Sequence, residues 1–236
     1  MKFLFAIILC GAALAVKCQD LSAYQYGLFQ NKKAGLLYRI LYPENFDSSR
    51  SYPLIIFLHG ANARGNDNES QLQFPGEYFL KEENRKKYPA IVLFPQCPGY
   101  AVWADFNTEI DSATGKAKKW YFPFRKKPSE PVELLKGLLD SLCAKPFVNS
   151  KKVYVGGLSQ GGMGVFDMAA RYPDLFAAAF PICGAGLVST AKNFSGKVAM
   201  WIFHGEKDDV VPVRFSRDYF NRLQKLGSDV KYTEYP

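Results

Sequence analysis

Val153-Tyr154-Val155-Gly156-Gly157-Leu158-Ser159-Gln160-Gly161-Gly162-Met163-Gly164 reads as an apolar strand, a sharp turn carrying a serine, and the opening of a helix. In Gly157-x-Ser159-x-Gly161 the flanking glycines remove Cβ atoms that would clash where the chain reverses, so the serine is held in a strained conformation. A serine presented in this way stands with its Oγ exposed above the edge of a sheet, as a nucleophile must. The alternative is a glycine-rich turn without chemistry, and the sequence on either side discriminates between them.

Working outward, short apolar runs rich in β-branched and aromatic residues occupy 54–58, 90–94, 153–155, 177–182 and 198–203. Such runs suit strands buried on both faces. Residues 36–41 alternate more and suit an antiparallel edge. Between the runs, Val132, Leu134, Leu135, Leu138, Leu139 and Leu142 fall on one helical face, with Ser129 as a start signal before Pro131. Further helices are expected over 162–172, stopped by Pro173, and over 214–226, closed by Gly227. Strands alternating with helices predict an α/β fold: a mostly parallel central sheet with helices on both faces.

Residues 103–127 fit no such unit. The stretch is polar, contains Gly115, and carries Trp103, Phe106, Trp120, Tyr121, Phe122 and Phe124, so it reads either as a long aromatic loop or cap beside the site or as aromatics tucked into the edge of the core.

The chain has 236 residues, of which 48% are hydrophobic, 15% aromatic and 22% charged, enough for a substantial core without repeats or low-complexity tracts. Residues 1–15 form the expected signal peptide: Lys2, an apolar run and an Ala13-x-Ala15 cleavage site, leaving a domain over 16–236. The apolar run ends at Lys17, short of the ~20 residues that span a bilayer, so no stable membrane insertion is expected after cleavage. Lipid attachment at Cys18 is disfavoured by Lys17. A secreted or periplasmic location follows, in which Cys18, Cys97, Cys143 and Cys183 could form a bridge whose pairing their spacing does not reveal. The formal net charge of +8 is scattered in short clusters such as Arg85-Lys86-Lys87, the pattern of a solvated surface, and no nucleic-acid-binding motif is present.

A serine hydroxyl is a poor nucleophile at neutral pH, so Ser159 needs an imidazole to take its proton and a carboxylate to orient that imidazole. His204-Gly205-Glu206-Lys207-Asp208-Asp209-Val210-Val211-Pro212 follows a buried strand and supplies acids at the sheet edge where the elbow lies. Asp208 is the preferred acid, with Asp209 and Glu206 as substitutes. Upstream, His59-Gly60-Ala61-Asn62 ends another buried strand. The backbone N–H groups of Ala61 and Gln160 are the candidate oxyanion donors, each worth about 3 kcal/mol of barrier. On this reading Gly60 lets the backbone approach a substrate carbonyl, and its replacement should harm more than replacement of Gln160.

His59-Gly60 after the first buried strand, the Gly-x-Ser-x-Gly-Gly elbow and His204-Gly205-x-x-Asp208-x-x-Val211-Pro212 resemble the α/β-hydrolase superfamily over about residues 35–236. Residues 53–60, 64–68 and 94–98 are similar to its secreted branch of carboxylesterase, phospholipase and dienelactone-hydrolase-like proteins, which includes peptidases and feruloyl and polyester esterases. The resemblance implies Ser159 as nucleophile, Asp208 as triad acid, and Ala61 and Gln160 as oxyanion hole. It implies neither cofactor nor metal. Asn62 and Ala63 depart from the Gly-Glu common at that loop.

In this superfamily the base follows the acid, yet the chain's two histidines, His59 and His204, both precede Asp208 at positions where relatives carry a structural His-Gly. A last strand is visible over 230–235, and the expectation is a C-terminally incomplete domain lacking the His loop and final helix. The function expected is cleavage of a small-molecule or polymer-linked carboxylic ester through an acyl-enzyme at Ser159. A serine peptidase of the same fold is the alternative among enzymes. A non-catalytic protein that binds carbohydrate or aromatic esters through Trp103 and Trp120 is the alternative outside them.

Overall fold

A computed structural model describes residues 21–115 and 117–236. The expected signal peptide and Cys18 lie outside the described residues. The chain runs β1 (Gln25–Gln30), β2 (Gly35–Leu41), β3 (Tyr52–Leu58), α1 (Gly76–Leu80), α2 (Glu82–Lys87), β4 (Ile91–Pro95), β5 (Asn107–Ile110), β6 (Ala117–Tyr121) and α3 (Glu130–Cys143). It continues through β7 (Val148–Leu158), α4 (Gln160–Arg171), β8 (Ala178–Ile182), α5 (Ala191–Phe194), β9 (Ala199–Gly205), α6 (Arg214–Lys225) and β10 (Val230–Tyr235).

Eight strands form one sheet in the order β1-β2-β4-β3-β7-β8-β9-β10. From β4 to β10 neighbours are parallel, and β2 and β1 add antiparallel strands at one side. The 36–41 segment is therefore antiparallel as expected but does not form the edge, because β1 lies outside it. Gln25, Tyr26 and Gln30 leave β1 with too little apolar signal to be seen as a strand.

Period-two alternation along β3 divides the core. Leu54, Ile56 and Leu58 pack with Val132, Leu135 and Leu139 of α3, while Phe57 joins Tyr24 and Phe94 on the opposite face, against Phe79 and Leu80 of α1. Each fully buried side chain of this size stabilises the fold by about 1.5–3 kcal/mol. Near β9 that second face opens to solvent, with Trp201 47% exposed and stacked on Phe203. Among the described residues no helix is long and apolar enough to cross a membrane.

The predicted helices are all present with shifted ends. α3 starts after Ser129, but the Ser129 hydroxyl donates to the Trp103 carbonyl at 3.2 Å rather than capping the helix. α4 begins at Gln160, two residues earlier than expected, so its first turn abuts the serine directly. At the end of α6, Gly227 takes φ +72° and its N–H donates to the Gln224 carbonyl at 2.9 Å, with Ser228 donating to Leu223.

Residues 103–127 follow the second of the two readings, with their aromatics packed, and add a hairpin that the sequence did not suggest. β5 and β6 pair as an antiparallel hairpin, and Phe106, Trp120 and Phe122 pack in a cluster with Phe215 of α6 and Met163 of α4. Trp103 is fully buried, its Nε1–H donating to the His59 carbonyl at 3.2 Å. The aromatic residues of this stretch are thus largely committed to packing, which argues against an open platform built on Trp103.

Candidate active site

The sheet register assembles the site. Leu58 of β3 pairs with Gly157 of β7, Leu158 with Ile182 of β8, and Ile182 with Phe203 of β9. The residues just beyond these pairs emerge side by side at the C-terminal edge of the sheet, where ligand crevices form in open α/β folds.

Ser159 joins β7 to α4 at φ 55° and ψ −116°, a region an L-residue occupies only when its surroundings impose it. Its N–H donates to the Ile182 carbonyl at 2.8 Å. Close approach imposes the glycines: a Cβ on Gly161 would lie 1.9 Å from the Leu58 carbonyl oxygen, and one on Gly157 would lie 2.5 Å from the Gly161 oxygen. Gly60 is not held to glycine by its protein neighbours. It has φ −73°, and a Cβ there would meet the Leu158 oxygen at 3.6 Å and the Ser159 Cβ at 3.8 Å, ordinary contacts that alanine can make.

Ala61 opens a 3-10 turn over Ala61–Ala63, and Gln160 opens α4. The first N–H groups of a helical turn have no partner within it and remain available to a ligand. Each lies three residues beyond the Leu58 and Gly157 pair. Ala61, Asn62 and Ser159 line one cavity of about 300 Å³ together with Gln71, Phe74 and Val210.

Asp208 is half-buried with its side chain 20% exposed, whereas Glu206 and Asp209 are exposed. Its Oδ1 accepts the N–H groups of Val210 and Val211, each at 2.9 Å, and its Oδ2 lies 3.5 Å from His204 Nε2. Val210 carries this acid loop to the cavity wall.

Both histidines are buried and fully engaged. His59 Nε2 accepts the Cys97 N–H at 2.9 Å, so the proton sits on Nδ1, which donates to the Gly60 carbonyl at 2.7 Å. Burial, with a smaller contribution from the Arg64 charge, lowers its pKa to about 4. His204 Nε2 donates to the Val211 carbonyl at 2.8 Å and its Nδ1 faces the Ser216 hydroxyl at 2.7 Å. Neither ring offers a nitrogen to Ser159.

Cys183 is a member of this neighbourhood that the sequence reading treated only as a possible disulfide partner. It follows β8 at φ +41°, adjoining Ser159 through the Leu158 and Ile182 pairing. Burial pushes its thiol pKa up, the Ser159 N–H opposes this, and the Asp208 charge adds to it. Cys97, Cys143 and Cys183 are free thiols. The available signal was a Cys-Gly pair following a buried strand at the same edge as the elbow.

The eight-stranded, mostly parallel sheet with a strained serine between strand and helix is an α/β-hydrolase fold. Residues 125–236 match the phospholipase/carboxylesterase family model. A thermostable esterase of known structure is 32% identical with a TM-score of 0.79, over 91% of this chain and 55% of that one. Poly(3-hydroxyalkanoate) depolymerase C of Paucimonas lemoignei is 32% identical over 116 residues, taking in 41% of this chain and 28% of the depolymerase. A ferulic acid esterase superposes with a TM-score of 0.67 at 14% identity, over 90% of this chain and 89% of its own, a likeness of fold alone. The fold is that of the α/β hydrolases, and over these residues the chain is similar to their esterase branch. It spans 55% of the thermostable esterase and 28% of the depolymerase.

Proposed function

We propose that this chain hydrolyses carboxylic esters through an acyl-enzyme at Ser159. The observation that carries the reading is the strained Ser159 at φ 55°, facing a cavity shared with Ala61, at the edge where Gln160 opens α4. In the reaction Ser159 Oγ attacks the ester carbonyl as a base removes its proton. The N–H groups of Ala61 and Gln160 receive the developing oxyanion, the alcohol leaves, and water then releases the acid. Asp208 is the acid that would orient the base. The imidazole is one that neither His59 nor His204 supplies, since their nitrogens are bonded elsewhere. The likeness to an esterase and a depolymerase at 32% identity supports an ester as substrate.

Fluorophosphonate labelling tests this reading. Ser159 should be labelled slowly, added imidazole should accelerate the labelling, and Ser159→Ala should abolish it. No label on Ser159 with or without imidazole would sink the proposal. The export proposed from residues 1–15 is tested by fractionation: appearance only in the cytoplasmic fraction would refute it.

A further inference from the structure

The two oxyanion donors belong to different elements, Ala61 to the loop after β3 and Gln160 to the first turn of α4. Both must come within about 3 Å of one oxygen as it gains charge, and a misplacement near 1 Å costs about a hundredfold in rate. Whatever fixes the spacing between loop and helix is therefore part of the site. Trp103 stands at this junction, fully buried. Its indole Nε1–H donates to the His59 carbonyl at 3.2 Å, and its ring meets the His59 imidazole edge-on with centroids 5.4 Å apart. On the helix side the approach is close enough to require glycine. A Cβ on Gly164 would lie 2.7 Å from the Trp103 Cβ, and one on Gly161 would lie 2.8 Å from the His59 oxygen. The Trp103 backbone is held in turn at the start of α3, where Ser129 Oγ donates to its carbonyl at 3.2 Å.

The imidazole that Trp103 packs against governs the donor peptide. His59 Nδ1–H donates to the Gly60 carbonyl at 2.7 Å, and that carbonyl shares a trans peptide with the Ala61 N–H. In a planar trans peptide the two groups point in opposite directions, so fixing one aims the other. We propose that Trp103 is a positioning residue for the oxyanion hole: it sets the His59–Ala61 backbone against α4, so that the Ala61 and Gln160 N–H groups face one point. This rests on Ser159 marking the ester site and adds to it a residue that touches no substrate. The position asks for an indole because the side chain must both fill the core and present an N–H to the His59 carbonyl. A phenyl ring meets the first demand and fails the second.

Fluorophosphonate labelling of Ser159 at saturating imidazole, resolved into a binding constant KI and a rate constant kinact, tests this. The reagent binds first, and its phosphoryl oxygen draws on the oxyanion donors only in the transfer step, so lost positioning lowers kinact and spares KI. In Trp103→Phe, kinact should fall at least about tenfold while KI stays within about twofold. Trp103 replaced by 3-benzothienylalanine, in which sulfur takes the place of the N–H, serves if the phenylalanine variant does not fold. Leu139→Ala, a change to a fully buried residue of α3, should destabilise the fold and leave kinact unaltered at temperatures where the protein remains folded. An unaltered kinact in the Trp103 variants, a loss carried by KI, or an equal loss of kinact in Leu139→Ala would overturn the proposal. Failure of the esterase reading appears separately, as a Ser159 that fluorophosphonate never labels in the unsubstituted protein.

Discussion

The backbone N–H of Cys97 donates to Nε2 of His59 at 2.9 Å, and this bond makes the histidine after β3 a structural strut. Protonation at Nε2 would break it inside a buried environment. The folded-state pKa is about 4, below the ordinary value near 6.5, so between these values the unfolded chain binds the proton and the folded one does not. The stability from neutral His59 is complete above about pH 6.5 and is lost as the pH falls toward 4, by roughly 3 kcal/mol in all. Urea denaturation across that window should show the loss, and His59→Gln should flatten it. An unchanged slope in the variant would assign the acid sensitivity elsewhere.

Ser159 is held at φ 55° and ψ −116°, at a cost of about 1–3 kcal/mol for a residue with a Cβ. Ser159→Gly should therefore raise stability by about 1 kcal/mol, or roughly 2–4 °C in Tm, while abolishing fluorophosphonate labelling. A fall in Tm on calorimetry would show that the serine side chain contributes more than its strain costs.

Gly161 and Gly60 should respond to the same change with very different losses of stability. The Cβ of Gly161→Ala would sit 1.9 Å from the Leu58 oxygen, so strand and helix must separate, at a cost of 3 kcal/mol or more by the scale of overpacking defects. Gly60→Ala meets nothing nearer than 3.6 Å and should cost less than about 1 kcal/mol. Its methyl faces Ser159, so an effect on ester binding is expected without an effect on folding. Chemical denaturation of the two variants provides the check.

Asp208 separates charge from hydrogen bonding. In Asp208→Asn the side-chain oxygen still accepts the N–H groups of Val210 and Val211, so stability should change by less than about 1 kcal/mol, whereas Asp208→Ala leaves the part-buried Val211 N–H without its acceptor and should cost about 1 kcal/mol or more. Removing the charge should also lower the Cys183 thiol pKa, because Asp208 is one of the causes holding it up. Iodoacetamide alkylation of Cys183, followed on its peptide, should then begin at lower pH in Asp208→Asn. Identical profiles would mean that the carboxylate does not face the sulfur.

Strands β3, β4 and β8, with the later half of β7, were legible because both faces are covered and their sequences are apolar throughout. β1, β5 and β6 were not, since half or more of their residues face water and resemble loop sequence. The aromatics of 103–127 looked exposed because their neighbours are polar; Phe215 and Met163, which cover several of them, come from α6 and α4. Gln71 carried no readable signal, and Cys183 only a Cys-Gly pair after a buried strand. The first is singled out by a buried oxygen without a partner among the described residues and the second by a strand register.

What the sequence by itself determined is local: a strand, a glycine-flanked serine and a helix, whose geometry follows from steric rules over a few residues. The pairing of Leu58 with Gly157, the bonds that engage both histidines and the unpartnered Gln71 oxygen were decided only by the tertiary structure. The physical reason is that burial and hydrogen-bond satisfaction depend on which distant segments meet. Pairing β3 with β7 and β7 with β8 is what brings the loop after Leu58 and Cys183 to the elbow at Ser159.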